Sequence, residues 1–217
     1  MGKVHLRPQR RRPQWYFDVD ATYWDAPADL TVEYITRLFE QTVPLLSQYT
    51  DEQLNQGFWY PVSNGCSDMM FALNDESVPL ERRVRCLKSF RSIFEKVFAV
   101  RCSQHLSHLD EKNACPLNSA CYMWWDLFPL GGRPGTPSGR AIQLAALGVM
   151  TETLGLDSLA CQESALHGLG HWQPSYPLEV KRIVDRFLET NKALRAELIA
   201  YARSARSGCV HESFKAV

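Results

Sequence analysis

The chain has 217 residues, 45% hydrophobic and 22% charged, and its 24 basic and 24 acidic side chains cancel to a net charge of zero. That profile belongs to a globular protein whose size allows a core without disulfides or metal, and it excludes disorder over most of the length. No apolar run approaches the ~20 residues of a membrane span, and the basic start (Lys3, Arg7, Arg10, Arg11, Arg12) has no apolar stretch behind it to make a secretory signal.

In chain order, residues 1–27 lack periodicity and contain Pro8, Pro13 and Pro27, so they read as an extended N-terminal arm. The remainder, 28–217, reads as one all-helical domain. Asp29 can cap a helix carrying Leu30, Tyr34 and Leu38 on one side, and Pro44 should end or kink it. Thr50-Asp-Glu-Gln53 has the form of a capping box. Residues 61–67 read as a turn. Ser77 and Pro79 open the longest expected helix, which runs to about residue 105 with Leu87, Phe94 and Phe98 in its apolar stripe.

After a polar connection over 106–116, residues 117–128 predict a short apolar helix holding Trp124 and Trp125. The Gly- and Pro-rich segment 131–139 is the clearest loop. Four helices should follow. The first covers 140–154 and the second 158–172, capped by Asp157. The third opens at Pro177, and the fourth, 192–207, is capped by Asn191 and ended by Gly208. Strand signals are nearly absent. The fold class is therefore all-α.

Charge is segregated along the chain. Residues 18–76 hold eleven acids and one base, Arg37, a local net charge of −10, and residues 14–76 hold 12 of the 24 aromatics. Acids with aromatic anchors form a face for a basic protein partner, or else the basic remainder neutralises them within the fold. The candidate partner-binding residues are Asp18, Asp20, Trp24, Asp25, Asp29 and Glu33, then Asp51, Glu52 and Trp59, with Trp124 and Trp125 beside the loop.

The histidines offer another chemistry. His167 and His171 stand at i and i+4, with Glu163 one turn earlier, so all three can share a helix face. Two imidazoles so spaced can hold a metal, but Gly168 occupies the position where a zinc protease has its glutamate. Cys102, His105 and His108 recur at i, i+3 and i+6 and drift round a helix. No Cys-x-x-Cys pair marks a structural zinc site. Cys66 lies on a turn with no identifiable base. The 131–139 loop lacks the phosphate-loop pattern, and the seven scattered cysteines fit a reduced, cytoplasmic protein.

The segment Glu163-Ser-Ala-Leu-His-Gly-Leu-Gly-His171, with helix starts about 37 residues apart, resembles the second helix of a HEAT-like (ARM-type) repeat over about 140–207. The resemblance implies a helical-hairpin array, an α-solenoid whose usual work is protein binding, against an irregular helical bundle as the other architecture. The preferred expectation is a non-catalytic binding module without cofactor. Its concrete version is a bacterial immunity-type inhibitor that neutralises a basic toxin, with no membrane and no nucleic-acid partner. The alternatives are a metal-dependent enzyme using the region of Glu163, His167 and His171, with His105 or His108 contributed by a neighbouring helix, and a helical adaptor contacting nucleic acid through residues 77–217 and the basic tail.

Overall fold

The computed structural model describes residues 26–129, 135–191 and 193–210. These residues are predominantly helical and contain no strand, and no helix among them is long and apolar enough to cross a membrane. The helices are α1 (Ala28–Glu40), α2 (Thr42–Leu46), α3 (Asp51–Val62), α4 (Leu80–Ile93), α5 (Leu117–Met123), α6 (Pro137–Leu154), α7 (Leu159–Trp172), α8 (Pro177–Thr190) and α9 (Ala196–Ser207). Short 3-10 turns lie at Met69–Asn74 and Ser107–Leu109.

Local chemistry explains most helix ends. The capping box at α3 is complete: Gln53 N–H donates to Thr50 Oγ1 at 3.3 Å, and Thr50 N–H donates to Gln53 Oε1 at 2.9 Å. Thr136 caps α6 ahead of Pro137, and Pro177 opens α8 as expected. Gly208 ends α9 in the left-handed region at φ 80°, where the Cys209 N–H reaches back to the Ser204 carbonyl.

Several expectations are corrected. Ser158, one residue after Asp157, caps α7. Asn191 does not open the last helix; its side-chain amide donates to the Phe187 carbonyl and closes α8, and α9 begins only at Ala196. Pro61 lies in the last turn of α3 rather than in a loop. In α1 the buried stripe is Val32, Ile35 and Phe39, rotated from the Leu30–Tyr34–Leu38 side, because the Phe39 ring packs edge-on against Phe90 of α4.

The longest helix does not stay α-helical. After Ile93 it passes through a π-helical turn, Phe94–Phe98, before its last turn Ala99–Arg101. Phe94 and Phe98, at its two ends, both face inward and pack against Trp124. Phe39, Phe58 and Phe90 complete the ring of aromatics around that indole at 5.6–5.9 Å.

Packing proceeds from one end to the other: α1 lies on α4, α4 on α6, α6 on α7, α7 on α9, and α8 on α9, while α5 bridges α3 and α7. Helix α7 is the centre. Every residue from Ala160 to Trp172 is buried except Gln162 and His171. A helix enclosed on all sides should be apolar all round. This one carries Glu163, Ser164 and His167 inside.

Candidate functional site

The polar face of α7 is built from Glu163, His167 and His171, successive i+4 positions on one side of the helix. Their surroundings separate them. Glu163 is fully buried and accepts from the backbone N–H groups of Ser107 at 2.8 Å and His108 at 2.9 Å. Its Oε1 also lies 2.6 Å from His108 Nδ1. A carboxylate with those three partners closes the 3-10 turn Ser107–Leu109 onto α7 and has no lone pair left over on Oε1. Glu163 is therefore part of the supporting structure and not of the histidine pair's site.

His167 is also buried. Its Nδ1 lies 2.7 Å from the Tyr201 hydroxyl, and its Nε2 points at the Nε2 of His171, 3.1 Å away. His171 is half-buried, and its Nε2 lies 3.4 Å from Asp126 Oδ1. Among the described residues, Asp126, His167 and His171 are the one group of three metal-ligating side chains whose ligand atoms converge, all within 4.8 Å of one another. A tetrahedral ion with metal–ligand distances of 2.0–2.1 Å spaces its ligand atoms about 3.3 Å apart. The two shorter edges, His167 to His171 and His171 to Asp126, lie near that figure, and the third, Asp126 to His167, falls within 4.8 Å, so binding one small divalent ion requires Asp126 and His167 to draw together.

Asp126 reaches the site because the α5 helix stops early. The sequence predicts helix to residue 128, but α5 ends at Met123 and the chain turns, with the N–H groups of Asp126 and Leu127 both donating to the Met123 carbonyl. Trp124 and Trp125, read from the sequence as candidate surface anchors, are each 1% exposed. They pin this turn into the core and leave Asp126 exposed at its outer side.

Gly168 completes the approach. A Cβ there would stand 2.6 Å from Trp125 Cβ, so only glycine lets α7 come this close to the 124–126 turn. Gly170 does the same for Val210, at 2.2 Å. The glycine that stands where a zinc protease carries its glutamate thus brings a different carboxylate, Asp126, opposite the histidines.

Behind the histidines lies a buried phenol pair. The Tyr201 and Tyr122 hydroxyls are 3.1 Å apart. Burial pushes the Tyr122 hydroxyl up to about 12, and burial together with Tyr122 raises that of Tyr201 further, so both keep their protons. The His108 ring stacks on Tyr201 at 4.2 Å, and the Tyr122 ring lies 4.2 Å from His167.

The acidic stretch looks different. Asp18, Asp20, Trp24 and Asp25 lie outside the described residues. Of the others, Glu33 pairs with Arg82 and Asp51 with Arg101, and Arg82 also donates to the Asp29 carbonyl. Glu40 is held bidentately by Arg85, which keeps its carboxyl below the usual range. Glu52 is exposed and Trp59 half-buried on α3.

All seven cysteines are free thiols. Burial pushes Cys86 up to about 12 and raises Cys121 strongly, so these two are packing groups rather than nucleophiles. No protein-family model, curated protein or solved structure matches this chain.

Sequence spacing pointed to His167 and His171, and it placed His108 nearby as a possible contributor from a neighbouring element. It missed Asp126, Tyr122 and Tyr201. The tripeptide Trp124-Trp125-Asp126 carried a signal, since two adjacent tryptophans with no exposed face force the next polar side chain outward. Nothing local in the sequence tied Tyr201 to His167.

Proposed function

We propose that this protein is a mononuclear metal enzyme whose ion is held by Asp126, His167 and His171. The observation that carries this reading is the convergence of two imidazole Nε2 atoms at 3.1 Å with a carboxylate oxygen 3.4 Å from one of them. Two imidazoles and one carboxylate favour zinc, iron or another first-row divalent ion over magnesium or calcium, which prefer all-oxygen sites. Three protein ligands leave a position for water, the arrangement of catalytic rather than structural zinc sites. The Asp126 side chain is 36% exposed, so that position faces solvent. An ion held there by Asp126, His167 and His171 would supply the acidification of a bound water, the chemistry used in metal-assisted hydrolysis.

The test is a zinc titration of full-length protein stripped with a chelator. One equivalent should bind, and Asp126→Asn and His171→Ala should abolish stoichiometric binding. A wild-type protein that takes up no zinc, iron or cobalt sinks the proposal.

A non-catalytic, inhibitor- or immunity-type protein binding a basic partner is the second reading. Exposed Glu52 beside half-buried Trp59 on α3 favours it. Intramolecular arginine partners at Glu33, Glu40 and Asp51 reduce the charge that such a partner would meet. A helical-hairpin array of HEAT-like type is compatible with either function. Its support is that α6 packs on α7 and α8 on α9, with α7 against α9, and that Pro137 and Pro177 open equivalent helices.

A further inference from the structure

The buried groups that are not ligands form a chain leading to one of them. Glu163 holds His108 by its Nδ1 and its backbone N–H, and holds the neighbouring Ser107 by its backbone N–H. The His108 ring lies on the Tyr201 ring, nearly parallel at 17°. Tyr201, 1% exposed, presents its hydroxyl to His167 Nδ1 at 2.7 Å, and Tyr122 is the hydroxyl's other neighbour at 3.1 Å.

A neutral imidazole carries one N–H, and only the other nitrogen can bind an ion. The Tyr122 hydroxyl oxygen lies within reach of the Tyr201 hydroxyl at 3.1 Å and can take its hydrogen bond, so the Tyr201 oxygen is available as acceptor for His167 Nδ1–H at 2.7 Å. In that arrangement the His167 lone pair sits on Nε2 and faces His171 and Asp126. Metal-binding histidines commonly donate their second N–H to such an outer partner, which fixes both tautomer and ring orientation. Here the partner is a phenol instead of a carboxylate or a carbonyl, and the phenol is held in place by a buried carboxylate–imidazole pair.

We infer that Tyr201 is the positioning residue of the metal site, selecting the Nδ1–H tautomer of His167, and that Glu163 and His108 act on the ion only through it. The inference rests on the metal-site reading above. It gives a role to three buried polar residues that touch no ion, and it explains why a polar chain runs through the most enclosed helix of the molecule.

The experiment compares Zn(II) affinity in full-length wild type, Tyr201→Phe and Tyr122→Phe, with Co(II) absorption spectra of each. Tyr201→Phe keeps the ring on which His108 stacks and removes only the hydroxyl. It should weaken Zn(II) by about 10–100-fold and shift the Co(II) bands, with Tyr122→Phe weakening it less. Wild-type affinity in Tyr201→Phe overturns the inference and leaves the site standing, whereas a wild type that binds no Zn(II), iron or Co(II) overturns both. Should Tyr201→Phe fail to fold, long-range proton–nitrogen spectra of the zinc-loaded wild type decide the matter. A proton on His167 Nδ1 supports the inference, and its absence from that nitrogen overturns it.

Discussion

The acidic N-terminal stretch and the centre of α7 handle charge in opposite ways. Along α1 and α3, carboxylates stand at the surface and meet arginines of the long α4 helix and its continuation: Glu33 with Arg82, Glu40 with Arg85, Asp51 with Arg101. Water screens those pairs, and each contributes little. Along α7 one carboxylate and one imidazole are out of water altogether, where every polar atom needs a partner. A local net charge of −10 therefore says less about function than three side chains on one helix face. Density of charge attracts notice in a sequence, while the free energy of a charge depends on its burial.

The sharpest way to break this comparison is to remove a ligand. Asp126→Asn or His171→Ala should lower Zn(II) affinity by more than about 100-fold, beyond the loss expected for an outer-shell partner. Calorimetric titration reads the effect directly, and unchanged affinity would place the ion elsewhere or nowhere.

Next in size is the loss of the buried pair. Glu163→Ala leaves His108 Nδ1 and two backbone N–H groups without an acceptor. Unfolding in urea should show a loss of about 3–5 kcal/mol. A loss as small as that of a surface acid would mean water enters the site, and the contrast between the two regions would collapse.

Gly168→Ala tests the close approach of α7 to the 124–126 turn. The added methyl would meet the Trp125 Cβ, which cannot swing aside as a side-chain tip could. About 1–3 kcal/mol of stability should go, as for other overpacked cores. Zn(II) affinity should fall with it, because Asp126 moves with the turn.

On the acidic stretch the effects should be far smaller. Glu33→Gln, at an exposed pair 3.6 Å from Arg82, should change stability by no more than about 1 kcal/mol. A larger change would show that the arginine pairing organises α1 against α4.

The smallest effect is the response to acid at single surface pairs. Arg195 and the Leu106 N–H hold the Glu111 carboxyl below its ordinary 4.5. A carboxyl lowered in the folded state adds stability that is fully present above 4.5 and is lost as pH falls through the lower folded value. Stability measured from pH 6 downward should therefore drop in that window, and Glu111→Gln should flatten part of the slope. A slope that Glu111→Gln leaves untouched would assign the acid response to the other lowered carboxyls beside arginines, Glu40, Asp185 and Glu197.

Much of the architecture was legible because its causes are local. The Thr50 capping box, Pro137 and Pro177 at helix starts, and Gly208 at a helix end act within four residues of themselves, and each does what its chemistry dictates. Local reading erred in two ways, where a distant contact intervened and where neighbouring local signals competed, as Ser158 did with Asp157. Leu30 and Tyr34 yielded the buried face to Val32 and Ile35 because Phe39 had to meet Phe90. Asn191 could cap the following helix or close the preceding one, and it does the second through a bond to the Phe187 carbonyl four residues back.

The candidate site divides along the same line. Helical periodicity alone put Glu163, His167 and His171 on one face. Periodicity has no information about which of them is locked in place and which is open, and it cannot bring in Asp126 or Tyr201 from other parts of the chain. Those choices were made by the close packing of α7 against the 124–126 turn, where Gly168 leaves room for Trp125, and against α9. Backbone propensity and side-chain spacing act over a few residues, whereas the meeting of a carboxylate, two imidazoles and a phenol depends on how far apart whole helices come to rest.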